Sequence, residues 1–130
     1  MIKDGLFEKI DCVSFYVNDL EDGISFYADA MGLNLLWRTE TSCGLGLRHG
    51  STEIVLHTRK MPLMNVKVAC VEKALELFLQ KGGFLETEIF DTDVGKAAVV
   101  RDVWDNCYCL VDVTKGRYRV DSDGNMLVQE

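Results

Sequence analysis

Apolar and polar residues alternate from Ile10 to Val17, with Val13, Phe15 and Val17 on one side and Cys12, Ser14 and Tyr16 on the other. A period of two marks a strand with one buried face and one usable face. Asn18 and Asp19 interrupt the pattern and are good N-cap residues. Leu20, Ile24, Phe26, Tyr27, Ala30 and Met31 then follow helical spacing as far as Gly32, placed where a C-cap glycine belongs. Strands are predicted over 34–40, 44–48 and 52–58. In the last of these Ile54 and Leu56 share one face, and Glu53, Val55 and His57 the other.

The same order returns. Met64, Val66 and Val68 alternate with Asn65 and Lys67, and a second helix is predicted over 71–81 on the stripe Val71, Ala74, Leu75, Phe78 and Leu79. Gly82 and Gly83 stop it, and strands over 84–90, 95–101 and 106–113 complete the set. Sliding the chain by 51 residues lays Leu20 on Val71, Ile24 on Leu75, Tyr27 on Phe78, Gly32 on Gly83 and Cys12 on Leu63. An internal repeat of this kind sets the architecture. The fold class is α+β, a single domain of tandem βαβββ modules: module one over 10–58, a linker over 59–63, module two over 64–113, and a hairpin or tail over 114–130. Asp121, Asp123 and Asn125 hint at a calcium loop, but Met126 stands where that loop needs glycine, and a plain turn is the reading.

At 130 residues, with 48% hydrophobic content, the chain suits one soluble domain with a real core. No apolar run approaches the roughly 18 residues of a membrane span, and the first residues lack the order of a signal peptide. Five cysteines without a CxxC pair point to a reducing cytoplasm. A net charge of −7 argues against nucleic acid as a partner and permits attraction of cationic ligands.

The stretch Asp19 to Leu33, which reads D-L-E-x-x-x-x-F-Y-x-x-x-x-G-L, resembles the vicinal oxygen chelate superfamily, the grouping of glyoxalases, bleomycin-resistance proteins and extradiol dioxygenases. Arg101 to Asn106 resembles a degenerate form of the family's D-P-x-G-N turn, with Val103 for proline and Asp105 for glycine. The resemblance covers roughly residues 10 to 113. It implies a curved mixed sheet around a U-shaped cleft, helices outside, with the Cys12/Ser14/Tyr16 and Glu53/Val55/His57 faces lining that cleft. It also implies four metal positions, which map onto Cys12, Val55, Leu63 and Cys109. None keeps the imidazole or carboxylate that a hard divalent ion wants. No metal and no cofactor are expected.

Alternatives remain at several of these residues. Cys12, Cys109 and His57 could hold a soft ion such as zinc with Glu53 or Cys107 near, could form a thiol–imidazole pair, or could be ordinary packing and rim residues. Trp37 and Trp104 could be aromatic walls for a flat or cationic ligand, or core. Ser14, Asn65 and Lys67 fall on the inner face as contacts or as solvated groups. The expected ligand-binding cleft therefore comprises Cys12, Ser14, Tyr16, Trp37, Glu53, Val55, His57, Asn65, Lys67, Trp104 and Cys109, with no residue assigned a catalytic role. The leading function is a metal-independent small-molecule binder resembling the bleomycin-resistance branch, active as a cytoplasmic homodimer. The alternative is a glyoxalase- or dioxygenase-like enzyme with an atypical metal or Cys/His site.

Overall fold

A computed structural model describes residues 5–116 and the strand pair 119–120 and 126–127. Module one runs β1 (Lys9–Tyr16), α1 (Leu20–Ile24), β2 (Asn34–Arg38), β3 (Ser42–Gly46) and β4 (Glu53–His57). Module two runs β5 (Met64–Lys67), α2 (Val71–Gln80), β6 (Phe84–Leu85), β7 (Phe90–Asp91), β8 (Lys96–Arg101) and β9 (Cys107–Val111). These nine strands form one mixed sheet in the order β2-β3-β4-β1-β5-β9-β8-β6, with β7 also on β8. The α+β architecture of paired βαβββ units is thus realised within one chain. β10 (Arg119–Val120) and β11 (Met126–Leu127) pair separately as an antiparallel ribbon. The turn with Asp121, Asp123 and Asn125 lies outside the described residues.

Each helix covers the apolar face of its own module. Leu20 and Ile24 of α1 pack on Cys43, Leu45 and Leu56, with Phe15, Val17 and Tyr27 at the margin. Val71, Ala74 and Leu75 of α2 pack on Val66, Val68, Ala98, Val100 and Leu110. Asp19 caps α1, its carboxylate accepting from the Asp22 N–H at 3.0 Å.

Two elements depart from the sequence expectation. The first helix does not stay α-helical to Met31: Ser25–Ala30 is wound as a π-helix, and the Met31 N–H reaches back to the Phe26 carbonyl. At 3.6 residues per turn Met31 would return to the side of Leu20. The wider winding turns it away, and Met31 and Phe26 are 57% and 54% exposed. The strand expected over 84–90 is broken into β6 and β7. Between them the N–H groups of Glu86 and Thr87 share the Val99 carbonyl, and Thr87 Oγ1 accepts the Val99 N–H at 3.1 Å, which interrupts the ladder.

α2 has Cys70 at its N-cap, which makes no side-chain cap bond. Asp112, buried just past β9, takes over that task from a distance. Its carboxylate accepts from the N–H of Val71 at 2.8 Å, from the N–H of Lys96 at 2.9 Å, and from Thr114 Oγ1 at 2.9 Å. Gly95 leaves room for it, since a Cβ there would lie 2.2 Å from Asp112 Oδ1. One carboxylate therefore ties α2, β8 and the end of β9 together.

Burial alone would raise the pKa of Asp112, but the donors around it outweigh that effect and hold it below the ordinary aspartate value. A depressed carboxyl contributes stability above its unfolded value of about 3.9 and loses it as pH falls through the lower folded value. Asp112→Ala is expected to destabilise the protein by about 2–4 kcal/mol at neutral pH, because buried N–H groups lose their acceptor. Chemical denaturation at pH 7 and near pH 3 checks this, with a smaller difference between variant and parent in acid.

Candidate functional site

The face of the sheet opposite the helices is built in two rows across the seam between modules. In one, Glu53, Cys12, Asn65 and Cys109 stand side by side on β4, β1, β5 and β9. In the other, Trp37, Gly44, Val55 and Ser14 stand side by side on β2, β3, β4 and β1. The four positions that the family resemblance assigns to a metal fall in these rows or next to them. Cys12 and Cys109 belong to the first, Val55 to the second, and the Leu63 carbonyl accepts the Ser14 N–H at 2.6 Å.

Trp37 reaches this face through a β-bulge. Leu35 pairs with Leu45 and Trp37 with Gly44, so the register shifts at Leu36. Leu45 lies in the core under α1, whereas Gly44 is on the cleft side, and the extra residue carries Trp37 over to join it. The indole then lies flat on Gly44, where a Cβ would come within 2.0 Å of Nε1. Nε1 donates to Glu53 Oε1 at 2.7 Å. Trp37, Cys12 and Val55 form a buried cluster of their own on the cleft side.

This packing governs the electrostatics. Burial pushes the Cys12 thiol up to about 12, with the Asp11 carboxylate adding to the effect, and burial pushes Cys109 up to about 11. Thiols raised in this way are not activated as nucleophiles at neutral pH. Burial raises the Glu53 carboxyl; the Trp37 N–H partly offsets this and Asp11 adds to it. Asp11 is itself raised by burial, against the pull of Lys9 and Lys67. His57 is lowered by burial and by Arg59.

His57 does not join the two cysteines. It pairs with Tyr16 and Ser42, four residues along β4 from Glu53, the partner of Cys12. At 3.3 Å per residue that is about 13 Å. The thiol–imidazole pair and the zinc set of Cys12, Cys109 and His57 are therefore not assembled. Among the described residues no group of three His, Cys, Asp or Glu side chains is placed to hold a metal ion. Val55 and Leu63 offer no side-chain donor, the two remaining positions carry thiols where a hard ion wants imidazole or carboxylate, and an indole packs on Cys12 and Val55. The residues present do not fit the family's metal.

The remaining expected residues divide. Ser14 is buried beside Cys12, while Asn65, Lys67 and Glu53 are half-buried, Lys67 in an ion pair with Glu8 at 2.6 Å. Tyr16 is an exposed rim residue with Lys60 Nζ 5.5 Å from its ring centroid. Trp104 is not in the cleft. It is 80% exposed and lines a cavity with Leu77 and Phe78 of α2, because its turn projects to the helix side. Arg101 and Cys107, opposite each other on β8 and β9, occupy inner-face positions that sequence reasoning did not assign to the cleft. The inner-face role of Gly44 was also missed; its signal was a glycine inside an apolar strand, a mark of close approach.

The turn after β8 keeps the backbone of the family motif. Asp105, at the motif's glycine position, has φ of 70°, and Asp102 Oδ1 accepts from the N–H of Trp104 and of Asn106, each at 2.9 Å. The profile of the Glyoxalase/Bleomycin resistance protein/Dioxygenase superfamily matches residues 9–108. Methylmalonyl-CoA epimerase from Mycobacterium tuberculosis superposes with a TM-score of 0.72 at 16% identity, over 86% of this chain and 92% of that one. A hypothetical protein from Bacillus halodurans gives 0.67 at 15% identity, over 88% and 98%. A variant of homoprotocatechuate 2,3-dioxygenase from Brevibacterium fuscum gives 0.60 at 21% identity, over 83% of this chain and 33% of that longer one. Among curated proteins none matches the sequence. These structural likenesses are likenesses of fold, and the profile match is one of family. The chain belongs to the glyoxalase/bleomycin resistance protein/dioxygenase superfamily.

Proposed function

We propose that the chain is a metal-independent small-molecule-binding protein of this superfamily, which holds a cationic or aromatic compound in its cleft. One observation carries the reading: the Trp37 indole rests on Gly44 and packs against Val55 and Cys12, on ground where an enzyme of the family would need open donors. What is left of the cleft suits recognition. Glu53 and Asp11 supply half-buried carboxyl groups that a bound cation would hold ionised, Asn65 supplies a polar group, and the net charge of −7 favours approach of a cation. The protein acts in the cytoplasm as a homodimer in this reading. All five cysteines are free, which supports a reducing compartment, and exposed Leu63 and Phe84 support self-association. Among the described residues no helix is long and apolar enough to cross a membrane.

Elemental analysis of the purified protein, with thermal denaturation in zinc, nickel or manganese and with a chelator, tests this directly. Sub-stoichiometric metal and an unmoved transition are expected. A stoichiometric metal with a chelator-sensitive transition would overturn the reading in favour of an enzyme with an atypical site. A panel of cationic aromatic compounds follows, and a true ligand at a hundred times its Kd should add about 2.7 kcal/mol of stability.

The indole plug itself can be probed. Gly44→Ala must displace Trp37 and is expected to cost about 1–3 kcal/mol, with a red shift of tryptophan emission. Glu53→Gln keeps an acceptor for Nε1 and removes a carboxylate whose raised folded-state value makes ionisation unfavourable. Such a group contributes stability in acid and loses it as pH rises through the folded value. Glu53→Gln should therefore leave stability unchanged or raised at pH 7, and give no gain near pH 4; denaturation at both pH values decides.

A further inference from the structure

A cavity that the cleft does not use lies on the helix side of module two. Leu77, Phe78 and Lys81 from the end of α2, with Leu6, Val103 and Trp104, surround a cavity of about 780 Å³. That lies within the range of about 300–1,000 Å³ typical of small-ligand pockets. Its walls are apolar except at two points, Lys81 and Asp102.

These two points are unequal. Both oxygens of Asp102 are occupied: Oδ1 by the N–H groups of Trp104 and Asn106, and Oδ2 by Asn106 Nδ2 at 2.8 Å. Lys81 forms no ion pair with any other described residue. Among the described residues Lys81 is thus the lining charge without a side-chain partner, while the Asp102 carboxylate is turned onto donors of its own turn. Trp104, 80% exposed, stands on a turn braced by these Asp102 bonds, with its neighbour Val103 55% exposed. A braced turn holding a bare indole beside an apolar hollow presents a flat stacking surface before any ligand arrives.

We infer that this outer cavity is a binding site for a planar aromatic anion, an aryl carboxylate or sulfonate whose ring system stacks on Trp104 and whose acid group meets Lys81. The site is separate from the cleft and independent of what the cleft holds. The aryl group fills the space bounded by Leu77, Phe78 and Val103, and the acid sits at the open rim, where Lys81 leaves α2.

The probe is 8-anilino-1-naphthalenesulfonate, compared with its uncharged relative N-phenyl-1-naphthylamine, each titrated by fluorescence into the full chain. Saturable binding of the sulfonate at one per chain is expected, weakened about tenfold or more by Trp104→Ala and by Lys81→Glu. Binding of the uncharged probe should fall with Trp104→Ala and not with Lys81→Glu, and Glu53→Gln in the cleft should change neither. Circular dichroism confirms that the surface variants fold. Sulfonate binding that survives both variants, or that Glu53→Gln abolishes, would overturn the proposal. So would sedimentation showing that Trp104→Ala splits a dimer while the sulfonate leaves that dimer untouched, since the cavity would then be an interface between copies of the chain.

Discussion

β1 is hydrogen-bonded on both edges, parallel to β4 and antiparallel to β5, and every other relation in the sheet follows from those two ladders. Because strand side chains alternate, a slip of one residue would exchange the two faces of a whole module. The register is held by opposite requirements on the two sides: Leu56 and Val66 must lie under α1 and α2, while Cys12 and Asn65 meet across the seam. The bulge at Asp11 reconciles them. Ile10 pairs with Val66 of the helix face and Cys12 with Asn65 of the cleft face, so one extra residue turns the strand over at the join. A second bulge at Leu36 performs the same reversal for Trp37, and the two together give the cleft its character.

That character is a buried one. Cys12 and Ser14 on the cleft face are 5% and 7% exposed, deeper than Val13 and Phe15 on the helix face. In a metal enzyme of this fold the same ground would be polar and open. Here the indole covers it, Glu53 is engaged as the acceptor that orients the indole, and the thiols are raised out of the reactive range. The half of the cleft nearer module two carries half-buried Asn65, Lys67 and Arg101 around the buried Cys109. The face thus carries an indole and a carboxyl on one side and basic and amide groups on the other.

The repeat, the strand–helix order and the faces of β1 and β4 were legible because they depend on short-range periodicity, which the residues from Ile10 to Val17 and from Glu53 to His57 display directly. The residue identities at Cys12, Val55, Leu63 and Cys109 were equally legible. Bulges and a π-turn were not. A strict period of two puts Trp37 on the same face as Leu35, and a strict 3.6 puts Met31 beside Leu20. Each prediction fails where one residue is added to the count. Trp104 was misplaced for a related reason, because the turn that carries it inherits its direction from the left-handed Asp105 rather than from a strand. The distance from His57 to the cysteines depended on register, which no single strand reveals.

The placement of the two cores explains how such a cleft can arise. Both large clusters lie under the helices, and Asp112 fastens α2 to β8 and β9 on that same side. The scaffold thus rests on contacts away from Cys12, Val55, Leu63 and Cys109, none of which belongs to either cluster. An open floor of valine, leucine and cysteine there would leave apolar surface in water. The Trp37 indole removes that surface on the module-one side, at the requirement of a glycine beneath it and a carboxylate beside it. Gly44, Trp37 and Glu53 are therefore one structural unit. A change at any one of the three acts on the other two, because the indole fills the space over the glycine and donates to the carboxylate.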